Sequence, residues 1–205
     1  MQLIGQYDSP FVRRVGIALT LYGMEFEHLP FSSFGEGDKF RAHNPLRRVP
    51  TFVLDSGEAL IDSAAILDHL DEVHGRDRAL IAASGPKRRA ALRRIAVATG
   101  TADKAVSYFY ARLFAVSLDP AFSARCEDQI RAGLGGLDAA CGDSWWHGDS
   151  PGHDDIAAAC VGRFVAEAYA WLIDLADYPA LAAHSARAEA LPAFQSISQA
   201  FIPPN

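Results

Sequence analysis

Three dipeptides carry the chemistry of this chain: Ser9-Pro10, Val49-Pro50 and Asp62-Ser63. Each falls where a predicted strand meets a turn or helix. A proline ahead of a strand contributes no N–H, and in the cis form it turns the preceding residue's backbone outward. Val49 would then offer its N–H and C=O to an extended peptide, which docks like an added strand. Ser63 reads as a helix N-cap, and the free N–H groups behind it form an anion site. A carboxylate fits Ser63 and an ammonium fits Asp62, so the pair suits the end of an amino acid. Ser9 occupies the first strand-to-helix turn, where a hydroxyl and a helix N-terminus can hold a thiolate ionised near neutral pH. Plain capping explains Ser9 and Ser63 equally well when each is read alone. Tyr7 offers a phenol as an alternative to Ser9, although its alternation with Leu3 also suits the core or the wall of a site.

The elements that would position these groups fall in a definite order. Residues 2 to 7 alternate as a strand, and residues 25 to 31 read as a second strand parallel to it. Between them Phe11, Val12, Val15, Ile17, Ala18, Leu19 and Leu21 recur at helical spacing up to Gly23, with Arg13 and Arg14 on the other side. Thr51–Leu54 and Ala59–Ile61 flank the turn Asp55-Ser56-Gly57-Glu58 as a hairpin. A helix carrying Ile66, Leu67, Leu70 and Val73 ends at Gly75. From Pro86 strand signals vanish, and helical patterns run over 86–118, 121–141, 154–173 and 179–190. The fold class is therefore α/β followed by all-α. The boundaries are 1–77 for a mixed four-stranded sheet with helices, 78–85 for a linker and 86–205 for a helical domain. The run Gly133-x-Gly135-Gly136 follows no strand and is not a phosphate loop.

Composition narrows the function. Of the 205 residues 50% are hydrophobic, which provides a sizeable core. A net charge of −6 argues against phosphate-backbone binding, although Arg13-Arg14, Arg47-Arg48 and Lys87-Arg88-Arg89 are local basic clusters. No segment approaches the roughly 20 apolar residues of a membrane span, and Met1–Gln6 does not read as a secretory signal. Cys126, Cys141 and Cys160 are widely spaced, and they read as reduced thiols of a cytoplasmic protein. His147 and His153 flank a turn without a third ligand at metal spacing, and they read as a surface loop with no metal. Trp145, Trp146, Phe164, Tyr169 and Trp171 are assigned to the core.

In the runs Tyr7-Asp8-Ser9-Pro10-Phe11-Val12-Arg13-Arg14-Val15, Asn44-Pro45-Leu46-Arg47-Arg48-Val49-Pro50 and Leu60-Ile61-Asp62-Ser63-Ala64-Ala65-Ile66, the sequence resembles the cytosolic glutathione S-transferase superfamily. It looks most like the bacterial serine-type members. The resemblance spans the whole chain and implies a thioredoxin-like N-terminal domain, a helical C-terminal domain and a homodimer. It implies a transferase that adds the glutathione thiolate to small hydrophobic electrophiles. Glutathione is then a co-substrate, and no further cofactor is expected. Ser9 would activate the thiol, Val49 would pair with the cysteinyl backbone and Pro50 would be cis. Asp62 and Ser63 would hold the γ-glutamyl end, Arg48 would lie near the glycyl carboxylate, and Phe11 would border the sulfur.

The resemblance also places an electrophile pocket between Ser9 and the first helix of the C-terminal domain. Its candidates are Tyr7, Asp103, Ser107, Tyr108, Tyr110, Arg112 and Phe114, with Tyr108 and Arg112 on one helix face. Two departures stand out: Arg47 where many relatives have glycine, and Gly152 at a helix cap usually filled by Ser or Thr. No cysteine lies near position 9, which disfavours mixed-disulfide chemistry. A glutathione-dependent isomerase or dehalogenase, and a non-catalytic glutathione-binding or regulatory member, are the alternative functions.

Overall fold

A computed structural model of the chain describes residues 1–115 and 117–203. Four strands, β1 (Gln2–Ile4), β2 (Glu27–Leu29), β3 (Thr51–Val53) and β4 (Ala59–Ile61), form one sheet in the order β2-β1-β3-β4. β2 runs parallel to β1, whereas β3 is antiparallel to both β1 and β4; Leu3 pairs with His28 on one side and Phe52 on the other. The strands are shorter than their alternation predicts. β1 stops because Gly5 adopts φ 132°, a conformation that glycine reaches without steric cost. Tyr7 therefore lies beyond the strand. Its buried ring stacks on His28 with centroids 3.7 Å apart, and burial pushes its phenol up to about 12.

Helix α1 (Pro10–Leu21) follows Ser9, whose Oγ accepts from the Val12 N–H at 3.5 Å, and Pro10 fills the first helical position. The sequence placed Arg13 and Arg14 on a side away from the core, but both are buried. The reason is tertiary: α5 (His153–Ala168) packs along that side of α1, so the face away from the sheet is covered by the second domain. Arg13 makes a two-pronged pair with Glu189 at 2.6 and 2.7 Å and donates to the carbonyls of Ile197 and Phe194. It thus ties the C-terminal segment to α1, and Arg13-Arg14 is not a surface patch.

Helix α2 (Ser63–His74) is capped by Asp62 and not by Ser63. The Asp62 carboxylate accepts from the Ala64 N–H at 2.6 Å, with its own backbone at φ 75°. Ser63 is instead the first helical residue. The helical domain comprises α3 (Gly85–Phe114), α4 (Pro120–Asp138), α5, α6 (Pro179–Glu189) and α7 (Pro192–Ser196). α5 is the axis of this domain. Its Ala-rich surface lets α3, α6 and α1 approach from different sides, and nearly all of its residues are buried. It ends at Ala168, short of the predicted 173, and the Tyr169 side chain turns back to donate to the Ala105 carbonyl at 2.6 Å.

The start of α5 explains the unusual cap. A Cβ on Gly152 would sit 2.1 Å from His147 Cδ2, so a larger residue would have to displace the His147 ring. Asp155 compensates by accepting from the Gly152 N–H at 2.9 Å and the Trp146 N–H at 3.2 Å. The surface-loop reading of the two histidines is overturned. His153 is the first residue of α5 and is buried, and its Nε2 is 2.8 Å from Asp71; His147 is held 2.8 Å from Asp154. Nor are all the assigned core aromatics buried: Phe164 and Tyr169 are, Trp145 and Trp146 are half-buried, and Trp171 is 53% exposed. Among the described residues no helix is long and apolar enough to cross a membrane.

Candidate active site

A cleft of about 440 Å³ separates the sheet domain from α3. The first domain contributes Phe11 and Arg14 from α1, Arg48, Val49 and Pro50 from the loop before β3, and Asp62 and Ser63 from the start of α2. α3 contributes Ile95, Thr99 and Asp103. A smaller recess of about 110 Å³ opens beside it and shares Phe11, Arg48 and Val49. Asp8, Ser9, Phe31, Ser32, Val106, Tyr110, Phe164 and Phe201 complete the recess.

The loop before β3 is built to present Val49. The Val49-Pro50 peptide bond is cis. Asn44, which is fully buried, donates from Nδ2 to the Arg48 carbonyl at 2.8 Å and to Thr51 Oγ1 at 3.0 Å. Its Oδ1 accepts from the Leu46 N–H at 3.0 Å, so one side chain closes the whole turn. Among the described residues neither the N–H nor the C=O of Val49 makes a backbone hydrogen bond. That leaves an open peptide edge facing the cleft. Arg47 has φ 52°, the left-handed region where glycine costs least, and its guanidinium pairs with Asp38 at 3.3 Å.

At the start of α2, Asp62 occupies the Ala64 N–H, and the first intrahelical donor is the Ile66 N–H, which reaches the Asp62 carbonyl. The Ser63 and Ala65 N–H groups precede it and have no partner within the helix. Across the cleft mouth Arg48 pairs with Asp103 at 3.5 Å, an exposed contact that orients two side chains and contributes little stability. In the recess the Ser9 hydroxyl uses a lone pair on the Val12 N–H, which leaves its proton free to donate. The Asp8 carboxylate accepts from the Ile202 N–H at 3.4 Å, and burial raises it above the usual carboxylate range. Burial also raises the Tyr110 phenol, with the Asp8 charge adding to it.

Of the residues singled out from sequence, Ser9, Phe11, Arg48, Val49, Pro50, Asp62, Ser63, Asp103 and Tyr110 line this paired cavity. Tyr7, Ser107, Tyr108 and Arg112 do not. Tyr7 lies in the core beneath α1. Ser107 is exposed and borders neither cavity. Tyr108 is buried against α4 and donates to Glu127 at 2.8 Å. Arg112 lies over the Trp171 ring, 3.9 Å from its centroid. The geometry of α3 accounts for this: at about 100° per residue, Thr99, Asp103, Val106 and Tyr110 share a stripe, and Tyr108 points about 140° away from Asp103. Phe114 is largely exposed and packs on Phe34. Arg14, Asn44, Thr99, Phe31 and Phe201 were missed; Thr99 and Val106 were legible as the i−4 and i+3 neighbours of Asp103.

A thioredoxin-like sheet with a cis-proline edge and an open helix start, closed by a helical bundle, defines a two-domain class that binds thiol peptides. The chain matches the family models described as glutathione S-transferase N-terminal domain over residues 3–78 and C-terminal domain over residues 120–187. It is 31% identical to a maleylacetoacetate isomerase of Pseudomonas aeruginosa, over 95% of this chain and 97% of that protein. A glutathione S-transferase of Methylobacterium radiotolerans in complex with glutathione sulfonate has a similar structure, with a TM-score of 0.89, 29% identity and coverage of 100% of this chain and 98% of that one. One from Methylobacillus flagellatus with bound GSH gives 0.87, 25% identity and coverage of 96% and 98%. This chain belongs to the glutathione S-transferase family.

Proposed function

We propose that this chain is a serine-type transferase that binds glutathione in the cleft and adds its thiolate to a small apolar electrophile seated in the recess. The observation that carries this reading is the junction of the two cavities, where Ser9, Phe11 and Val49 meet. The cysteinyl backbone pairs with the open edge of Val49. Its sulfur then points toward Ser9, whose free proton donates to the thiolate. A thiol with a pKa near 8.5 needs lowering by only a unit or two to ionise at neutral pH, and a hydroxyl at a helix N-terminus is suited to that task. Asp62 and Ser63 hold the γ-glutamyl end, and Arg48 takes the glycyl carboxylate. The aromatic wall of Phe31, Tyr110, Phe164 and Phe201 supplies proximity to the electrophile and excludes water. No cofactor beyond the co-substrate is needed. The chain is taken to act in the cytoplasm as a homodimer, which a light-scattering mass in solution checks.

A second reading is supported by the similarity to maleylacetoacetate isomerase: the same thiolate adds reversibly to a conjugated double bond and leaves after rotation. Conjugation of glutathione to 1-chloro-2,4-dinitrobenzene, measured beside cis–trans isomerisation of a maleyl substrate, separates the two. Glutathione-dependent conjugation that Ser9→Ala diminishes is the expected result. Isomerisation without conjugation replaces the first reading by the second, and glutathione binding without either reaction sinks both.

A further inference from the structure

Five aromatic side chains, Phe11, Phe31, Tyr110, Phe164 and Phe201, line the recess of about 110 Å³, and Asp8 is the acid among its lining residues. The C-terminal segment holds this arrangement in place. The Ile202 N–H donates to Asp8 at 3.4 Å, and the Phe201 N–H donates to Glu167 at 2.7 Å. The Phe201 ring stands edge-on to Phe164, with centroids 5.4 Å apart. Asp8 is thus tied to the side of the recess that Phe201 closes.

No cation answers this carboxylate, and no ion pair among the described residues includes Asp8. Arg48, which also lines the recess, pairs with Asp103 at 3.5 Å. Arg163 is taken by Glu167 at 2.8 Å and by Glu189 at 3.2 Å. Burial raises Asp8 above its ordinary range, and the charge of Glu167 adds to the rise against the backbone N–H groups that oppose it. A cation arriving beside Asp8 reverses that shift, because it favours the charged form, whereas an anion meets like charge. The faces of aromatic rings also attract cations, most strongly where water is displaced. The carboxylate and the rings therefore favour the same sign of ligand by independent means.

We propose that the recess selects electrophiles carrying a small cationic head on an apolar body, with Asp8 as the specificity-determining residue and the aromatic rings as the cage around the head. The inference rests on the glutathione reading above and narrows its electrophile. The reacting carbon lies where the two cavities join, near Ser9, Phe11 and Val49, and the head lies toward Asp8. The same carboxylate sets the recess against the anionic maleyl substrate of the second reading.

The test measures kcat/KM for glutathione addition to acrylate esters that differ in the head, each corrected for its uncatalysed rate. They are 2-(trimethylammonio)ethyl acrylate, its uncharged isostere 3,3-dimethylbutyl acrylate, and 2-carboxyethyl acrylate. In each the thiolate adds to the β-carbon, and water protonates the resulting enolate at the α-carbon. The native chain is expected to prefer the cation over the isostere about tenfold, and the isostere over the anion by a similar factor. In Asp8→Asn the preference for the cation should fall to about threefold, the share left to the rings, and the penalty on the anion should vanish. Phe201→Leu should lower the preference for the cation and keep the penalty on the anion, and it decides the matter if Asp8→Asn does not fold. Equal kcat/KM for the esters in the native chain, a faster anion, or a preference that survives Asp8→Asn intact overturns the role of Asp8 alone. So does conjugation of 1-chloro-2,4-dinitrobenzene with none of the esters. A native chain that conjugates neither the esters nor 1-chloro-2,4-dinitrobenzene overturns the transferase reading and this inference with it.

Discussion

His153 Nε2 lies 2.8 Å from Asp71 Oδ1 and joins the first residue of α5 to the last turn of α2. The Tyr22 hydroxyl donates to the same oxygen and accepts from the Leu80 N–H at 2.9 Å. The His153 N–H returns to the Leu80 carbonyl at 2.8 Å. One carboxylate thus holds α1, α2, the linker and α5 together, out of water. Burial alone would raise Asp71, but the hydrogen bonds it accepts from His153 and Tyr22 outweigh it and hold Asp71 low.

Asp71→Ala leaves the Tyr22 hydroxyl and His153 Nε2 buried without their acceptor. The expected cost is about 2–4 kcal/mol, because hydrogen bonds to a charged group are lost and two donors are left unsatisfied. Urea unfolding measures it, and a change below about 0.5 kcal/mol would show that the two domains do not depend on this contact.

The same contact gives a pH dependence of definite sign. Burial lowers His153 below its ordinary 6.5 and outweighs the opposing pull of Asp71, with Arg14 lowering it further and Asp154 opposing. A depressed pKa means that the unfolded chain takes up the proton first, so stability is full above pH 6.5 and declines as pH falls. Asp155, raised to about 6 chiefly by burial, acts in the opposite direction, while His184, lowered to about 4 chiefly by burial, acts in the same one, so the native curve sums several groups. His153→Gln should therefore lose less stability than the native chain between pH 7.5 and pH 5. Equal losses would remove His153 from the acid response.

Ser9→Ala removes the proton that faces the recess. Each unit of thiol pKa is tenfold in thiolate at neutral pH, so kcat/KM for conjugation should fall about 10- to 100-fold. Glutathione affinity should change little, because the peptide is held elsewhere. The cap bond is long at 3.5 Å, so the stability loss should be near 0.5 kcal/mol. An unchanged thiol pKa in bound glutathione, followed by ultraviolet absorbance of the thiolate, would contradict the assignment.

Gly5→Ala meets two obstacles. The backbone is at φ 132°, and a Cβ would lie 2.5 Å from Val12 Cγ2 and 2.8 Å from Val49 Cβ. The new methyl must move either α1 or the loop that carries Val49. A loss of about 2–4 kcal/mol is expected, with weaker glutathione binding in whatever folds. Full retention of both would mean that the loop position does not depend on this contact.

Tyr108→Phe tests the corrected role of Tyr108. It removes the hydrogen bond to Glu127 and the longer one accepted from Arg112, and nothing from the cavity. Stability should fall by about 1 kcal/mol with conjugation kinetics unchanged. A selective rise in KM for the electrophile would return Tyr108 to the site.

Sequence alone determined the order of elements and the three dipeptides, since strand alternation, helical spacing and the Ser, Pro and Gly punctuation act over a few residues. It placed Ser9, Val49 and Asp62 at the ends of their elements, where a ligand can reach them. It could not rank Tyr110 above Tyr108, because both are aromatics of one helix and only the packing of α4 and α5 decides which side of α3 is buried. It read Arg13, Arg14 and His153 as polar and therefore outward. Their burial follows from α5 lying across α1, a contact between residues over a hundred positions apart. The fate of the two arginines shows the same division: neighbours in sequence, one is neutralised by Glu189 and the other lines the cleft without an ion-pair partner among the described residues, because their directions on α1 differ by about 100°.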